Sequence, residues 1–302
     1  MGYNFRRMRP YSVVAALALA TIASSQTGRQ SASLVVIGGT VITEDTAHRI
    51  LAPGAVAIDG TDILDVDSPE VIASRFSAAE TIEARDASIL PGLINTHTHA
   101  PMVMYRGLAD DLTLMDWLEQ YIFPVEARTV SPVFVRTGTR LAALEMIESG
   151  TTTYADMYYF EEEIAKVTLE AGLRGVLGQT IIQLPAPDAK TPAEGLARAE
   201  AFIKSFKGNE LIVPAVAPHS VYALNQNALV ASAELGRRYQ VPIIIHVAET
   251  EGEVRTVREG YKSTSVGYLE SIGFLGPGVI AAHGIWVTDE DIQTLRRHHV
   301  GV

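Results

Sequence analysis

From Ile89 onward, short apolar runs alternate with helix-type segments, and nearly every run ends in a histidine or an acid. This repeat constrains the fold more than anything else in the chain. The runs are Ile89–Asn95, Thr151–Asp156, Gly175–Ile181, Ile212–Ala217, Pro242–Val247 and Val279–Ala282. Helix signals fill the gaps. Ser131 followed by Pro132 reads as a cap with proline at the first helical position, and Gly150 ends that helix. Thr191-Pro192-Ala193-Glu194 reads as a capping box, and Asn225 and Thr288 can cap two later helices. Buried strands alternating with helices predict a parallel sheet, and six such units in series favour a (β/α)8 TIM-type barrel. A doubly wound open sheet is the competitor, and the placement of the polar residues decides between them.

Those residues converge. The first run leads into His97-Thr98-His99, the second into Asp156, the fourth into His219, the fifth into His246 and the sixth into His283. Five of the eight histidines therefore sit at strand ends, a choice that scattered core histidines would not make. In a barrel the carboxyl ends of the strands share one mouth, where active sites are built. The His97-Thr98-His99 pair is the sharpest signal. Residues two apart on a strand face the same side, so both imidazoles can reach one metal. Zinc at about 2.0–2.1 Å from imidazole nitrogen suits them, and a catalytic zinc takes three protein ligands plus water. His246 is available as the third.

The chain has no cysteine, which removes disulfide scaffolds, thiol nucleophiles, iron–sulfur sites and thiolate-held zinc. Its formal net charge of −11 lacks the basic footprint of a nucleic-acid binder. Residues 33–88 show short β-type runs, Leu34–Ile37, Thr40–Ile42, Ala55–Ile58 and Thr81–Ala84, split by glycine turns. They predict a small N-terminal β-sandwich-like domain. Residues 1–25 have the order of a secretory signal, with Arg6, Arg7 and Arg9 before the apolar run Val13–Ala23. That run is well short of the ~20 residues of a membrane span, and no later segment is long and apolar enough to cross one. The expectation is export to the periplasm or medium, with a cytoplasmic protein as the alternative if the leader is not real.

The run Pro91-Gly92-Leu93-Ile94-Asn95-Thr96-His97-Thr98-His99-Ala100-Pro101-Met102 resembles the first-strand signature of the amidohydrolase superfamily. Tyr105–Asp111, Asp116-Trp117-Leu118 and Phe123-Pro124-Val125-Glu126 resemble its branch of 5-methylthioadenosine/S-adenosylhomocysteine deaminases and triazine chlorohydrolases. Ala217-Pro218-His219-Ser220, His246-Val247-Ala248-Glu249-Thr250 and Ala281-Ala282-His283-Gly284 extend the match in order. The resemblance implies a metal-dependent hydrolase acting on C–N bonds other than peptide bonds, over residues 89–302. It implies His97, His99 and His246 as ligands of one divalent metal, zinc with Fe2+ as the alternative. Glu249 would be the general acid/base, and His283 would hydrogen-bond a metal-bound hydroxide that attacks the ring. Glu126 would bind ribose hydroxyls and His219 would contact the substrate. No lysine lies in Val213–Ser220, where binuclear members carry a bridging carboxylated lysine, so a single metal is expected.

The expected partners are a small heterocyclic substrate, an adenosine-type nucleoside, and water; no nucleic acid and no membrane span are expected, and a homo-oligomer is left open. Guanine, cytosine or a halogenated triazine is the alternative substrate, and a non-catalytic metal-binding fragment the alternative from another class. Glu161-Glu162-Glu163 reads as the first turn of a helix and His298-His299 as a solvated helix end. Trp117 reads as packing or pocket wall. The family's strand-eight aspartate and its Ser-Asn-x-Lys-Leu motif do not occur before Val302. The barrel is therefore expected to be C-terminally incomplete, and these 302 residues alone to be unstable or inactive.

Overall fold

A computed structural model describes residues 28–302, so the leader expected over 1–25 lies outside the described residues. The chain divides into two compact units, one ending at Pro91 and the other running from Gly92 to Val302.

The first unit holds β1 (Gln30–Ile37), β2 (Thr40–Ile42), β3 (Ile50–Leu51), β4 (Ala55–Asp59), β5 (Asp62–Asp67), α1 (Pro69–Arg75), β6 (Phe76–Glu83) and β7 (Ser88–Ile89). One sheet has the order β5-β4-β1-β6 and a second the order β3-β2-β7. β1 runs antiparallel to β4, with Val35 opposite Ala57, and parallel to β6, with Leu34 opposite Glu80. The core of the larger sheet is Ala32, Val35, Ala55, Ala57, Phe76 and Ile72 from α1. The four expected strands are present. β5 was not anticipated, because Asp62, Asp65 and Asp67 give it a loop-like composition. It pairs only with β4 at the sheet margin, where charged residues are tolerated.

The second unit begins with β8 (Leu93–Thr98) and a 3-10 turn over Ala100–Tyr105. There follow α2 (Leu114–Trp117), a π-helical turn Leu118–Ile122, α3 (Phe123–Thr129) and α4 (Pro132–Glu148). Then strands and helices alternate: β9 (Thr151–Tyr158), α5 (Glu161–Ala171), β10 (Arg174–Ile181), α6 (Pro192–Phe206), β11 (Ile212–Pro218) and α7 (Gln226–Tyr239). The series ends with β12 (Ile243–Val247), α8 (Glu251–Tyr261), α9 (Ser265–Ser271), β13 (Val279–His283) and α10 (Asp289–Arg297).

The sheet order is β13-β12-β11-β10-β9-β8, every neighbouring pair parallel. Strand order that follows chain order without a reversal excludes the doubly wound alternative, whose order must switch direction. The sheet is also curled. Its outermost members are five strand spacings apart, about 24 Å in a flat sheet. Yet the rings of His97 near the end of β8 and His283 at the end of β13 have centroids 5.0 Å apart. This is the curl of a nearly closed TIM-type barrel, and Gly301 extends the sheet by pairing parallel with Ile280 on the outer side of β13.

Strand alternation sorts the core. Ala155, Met157, Ala215, Ala217 and Ile244 fill the barrel interior, whereas Val216, Ile243, Ile245, Val247 and Ala281 pack outward on helices. His246 lies two residues beyond Ile244 and His219 two beyond Ala217, so both inherit the inward face. The helix starts follow their caps. Ser131, Thr191, Asn225 and Thr288 each accept a backbone N–H from the first turn. One detail corrects the sequence reading: the Glu194 carboxylate accepts from Lys190 N rather than from Thr191 N, so that motif is not a closed capping box. No helix among the described residues is long and apolar enough to cross a membrane.

Candidate active site

At the carboxyl ends of the strands a cavity of about 230 Å³ is lined by His97, His99, His219, His246, His283, Glu126 and Glu249, with Leu114, Trp117, Leu118 and Phe123 as apolar wall. The seven residues expected to act on metal or substrate meet there, while Asp156 at the end of the second run does not line the cavity.

The imidazoles are set by main-chain acceptors. His99 donates from Nδ1 to the Met157 carbonyl at 2.6 Å, and His246 donates from Nδ1 to the His219 carbonyl at 2.8 Å. A carbonyl only accepts, so each ring carries its proton on Nδ1 and presents a lone pair at Nε2. Those two Nε2 atoms face each other at 3.3 Å. Neither has a proton to offer the other, and burial pushes both rings below the ordinary histidine pKa. Two lone pairs aimed at one another call for a cation between them. Neighbouring ligands of a tetrahedral zinc at about 2.0–2.1 Å stand about 3.3–3.4 Å apart, which the observed separation matches.

His97 completes the group. Its ring centroid is 5.0 Å from those of His99 and His246, and its buried Nδ1 has no hydrogen-bond partner. Burial, and then the neighbouring imidazoles, lower its pKa to about 3, leaving it neutral as a ligand must be. One ring nitrogen each from His97, His246 and His283 also lie within 4.8 Å of one another. The donor set therefore fits a divalent cation, with His283 at its margin.

His283 needs a distorted backbone to be there. Strand alternation would turn it outward with Ala281, but its φ of +76° re-aims the side chain toward the mouth. The ring stacks on His246 with centroids 5.4 Å apart, and its Nε2 is 3.6 Å from Glu249 Oε1. Backbone strain of this kind concentrates at functional sites.

Two carboxyls share the cavity. Burial, and then the charge of Glu253, raise Glu249 to about 7. Burial raises Glu126 to about 7 as well, although the hydrogen bond it accepts from Tyr158 Oη at 2.6 Å works the other way. His219 follows β11, its ring centroid 4.6 Å from that of His246. Burial lowers it to about 3.

Several further groups support the site, and of these Asp156 was already marked as a strand-end acid. Asp156 and Glu161 are wholly buried. Asp156 Oδ1 accepts from Ala100 N at 2.5 Å, fixing the turn after His99, and Glu161 Oε1 accepts from Tyr158 N at 2.8 Å. Glu161 read as a plain first-turn acid, and only the fold shows that its side chain points inward. Tyr158, which anchors Glu126, had no role assigned from the sequence.

The sequence profile of the amidohydrolase family matches residues 88–302. The chain is 40% identical over 267 residues to 5-methylthioadenosine/S-adenosylhomocysteine deaminase 1 of Syntrophus aciditrophicus (strain SB), covering 88% of this chain and 60% of that protein. It is 42% identical over 275 residues to the 5-methylthioadenosine/S-adenosylhomocysteine deaminase of Syntrophobacter fumaroxidans, covering 91% and 63%. Among solved structures it is similar to an adenosine deaminase from Xanthomonas campestris with bound zinc, with a TM-score of 0.87 and 33% identity over 90% of this chain and 62% of that one. The chain spans about three fifths of the length of these relatives.

Proposed function

Since the chain belongs to the amidohydrolase family, we propose that the whole protein is a zinc-dependent deaminase of an adenosine-type nucleoside, 5-methylthioadenosine or S-adenosylhomocysteine. One observation carries the reading. Two tautomer-locked imidazoles, His99 and His246, aim bare Nε2 atoms at one point, beside a carboxyl held near neutral pKa. His97, His99 and His246 would hold the cation, and imidazole donors suit zinc. The bound zinc of the similar Xanthomonas campestris structure supports that choice. When bound, such an ion lowers the pKa of water from 15.7 toward about 7 and polarises the reacting bond.

The chain's own residues supply the rest. Glu249 carries one proton of the adding water to the ring nitrogen, then carries the second, from the new hydroxyl, to the amine, which departs as ammonia and leaves a ring carbonyl. A group titrating near the working pH does both most efficiently. His283 holds the water's line of approach and Glu249's Oε1 in register. Glu126, in the wall of the same cavity, receives ribose hydroxyls, while His219 contacts the base. Trp117, Leu114 and Leu118 exclude water from the purine face. The names of the similar Syntrophus and Syntrophobacter enzymes support the substrate class. The order of charged, apolar and small residues over 1–25 supports export.

The test is loss of ultraviolet absorbance on a panel of nucleosides and bases with the whole, zinc-loaded protein. Turnover of adenosine derivatives is expected, and H246A is expected to lose both zinc and turnover. Turnover confined to guanine, cytosine or a chlorotriazine would replace the substrate assignment, and full turnover by H246A would overturn the site.

A further inference from the structure

Four helices of the second unit start with a hydroxyl cap followed three residues later by an acid: Thr113 with Asp116, whose carboxylate accepts from the Thr113 hydroxyl, Thr191 with Glu194, Thr250 with Glu253, and Thr288 with Asp291. In a capping box that acid returns to the N–H of the cap residue itself. Asp291 does so, accepting from Thr288 N at 2.9 Å. Glu194 reaches one residue further upstream, to Lys190 N at 2.7 Å. Glu253 reaches furthest. Its Oε2 accepts from Glu249 N at 2.8 Å and its Oε1 from Ala248 N at 2.9 Å.

Those two N–H groups belong to the segment that carries the proton-transferring carboxyl of the proposed reaction. Glu253 is 5% exposed. Ser265 Oγ, at the start of α9, donates to its Oε1 at 2.8 Å and fixes it from the other side. Ala248 adopts a left-handed φ of +51°, which a residue with a Cβ keeps only when its surroundings hold it. Its N–H is held by Glu253, and its carbonyl accepts from Ile285 N and Trp286 N at 3.1 and 2.9 Å.

We propose that Glu253 is a positioning residue. Its carboxylate grips the backbone of Ala248 and Glu249 and so fixes where the Glu249 carboxyl stands relative to His246 and His283. The claim rests on the role assigned to Glu249 above, and it adds a residue that touches neither metal nor substrate.

The test uses the whole, zinc-loaded protein as parent, E253Q, E249Q and the double variant E249Q/E253Q, with 5-methylthioadenosine as substrate. Glutamine keeps the shape of Glu253 but can accept only on its oxygen, so one of the two N–H groups loses its partner. Misplacement on this scale lowers kcat by about 10–100-fold. KM is expected to change less than about twofold, because E253Q removes an orienting contact and not ground-state binding. If Glu253 acts through Glu249, the double variant is no slower than E249Q alone. A further loss in the double variant would show a separate structural role and overturn the proposal. Amide hydrogen exchange gives a second readout that does not depend on substrate. Ala248 and Glu249 should exchange faster in E253Q while β12 keeps its protection, and parent-like exchange at both would overturn the proposal. Parent-level turnover by E249Q would instead remove the assignment of Glu249, while the exchange result would still stand on its own.

Discussion

Glu126 and Glu249 line one cavity, and burial lifts both to about 7, yet their surroundings divide the work between them. Glu249 sees a second carboxylate, Glu253, which adds to its preference for a proton. Glu126 sees a tyrosine hydroxyl, whose hydrogen bond favours the charged form and loses to desolvation. That balance has a consequence for stability. A carboxyl whose folded pKa exceeds its ordinary 4.5 binds its proton more tightly in the folded protein. The stability it contributes is therefore fully present below 4.5 and lost as pH rises through 7. At 1.36 kcal/mol per unit the loss is roughly 3 kcal/mol, and Glu126 is only 4% exposed, so solvent screens little of it. E126Q, which still accepts from Tyr158, should match the parent in urea unfolding at pH 4.5 and exceed it by up to roughly 3 kcal/mol at pH 8. A less stable E126Q at pH 8 would show that the fold favours the charged form of Glu126 and does not raise its pKa. At this scale spacing and strand ends marked the histidines, and the family resemblance marked both cavity carboxyls. The sequence marked Asp156 as a strand-end acid but did not carry Glu161 or Glu253, whose importance depends on which backbone N–H each one reaches.

Among the elements, the contact between α4 and the turn after His99 bears most directly on the site. Gly138 lies on the buried face of α4, and a Cβ there would stand 2.5 Å from Pro101 O and 2.8 Å from Pro101 Cα. Pro101 cannot retreat easily. Ala100 N is tied to Asp156, and Met102 N donates to the His99 carbonyl at 2.9 Å. Two effects compete in G138A. Alanine improves helix propensity by about 1 kcal/mol, while overpacking against backbone costs about 1–3 kcal/mol. The clash with main-chain atoms should win, so G138A is expected to melt earlier and to retain less zinc on dialysis. G252A in the first turn of α8 is the control. Its nearest neighbour is Thr250 Oγ1 at 3.7 Å, so it should melt at or above the parent temperature. A G138A protein as stable as G252A would show that the turn moves freely. The elements themselves were largely legible, since apolar runs and caps located all six barrel strands. β5 was hidden by its aspartates. The left-handed turn at His283 was hidden because strand alternation alone points that side chain the wrong way.

At the scale of the whole second unit, the site and the curvature of the sheet depend on each other. β8 and β13 stand at opposite ends of the strand order, yet their histidines meet, and His246 from β12 joins them. A cation bound there ties strands far apart in the hydrogen-bonded order across the mouth of the barrel. With it removed, facing lone pairs and buried neutral imidazoles remain, and the curl is opposed where it was supported. Metal binding adds to folding stability by mass action, about 4.1 kcal/mol when the free ion is at 1,000 times its Kd. For a domain of this size that corresponds to roughly 8–16 °C in Tm. Chelation should lower Tm by that order, and added zinc should restore it. H246A should start low and show no response to chelator or to zinc. Hydrogen exchange should locate the loosening, with faster exchange at the carboxyl ends of β8 and β13 and little change in β10 and β11, whose neighbours hold them on both sides. A parent protein that gives up its zinc with no change in Tm, and with no exchange difference between outer and central strands, would mean that packing alone closes the barrel. The histidines would then serve chemistry without serving the fold.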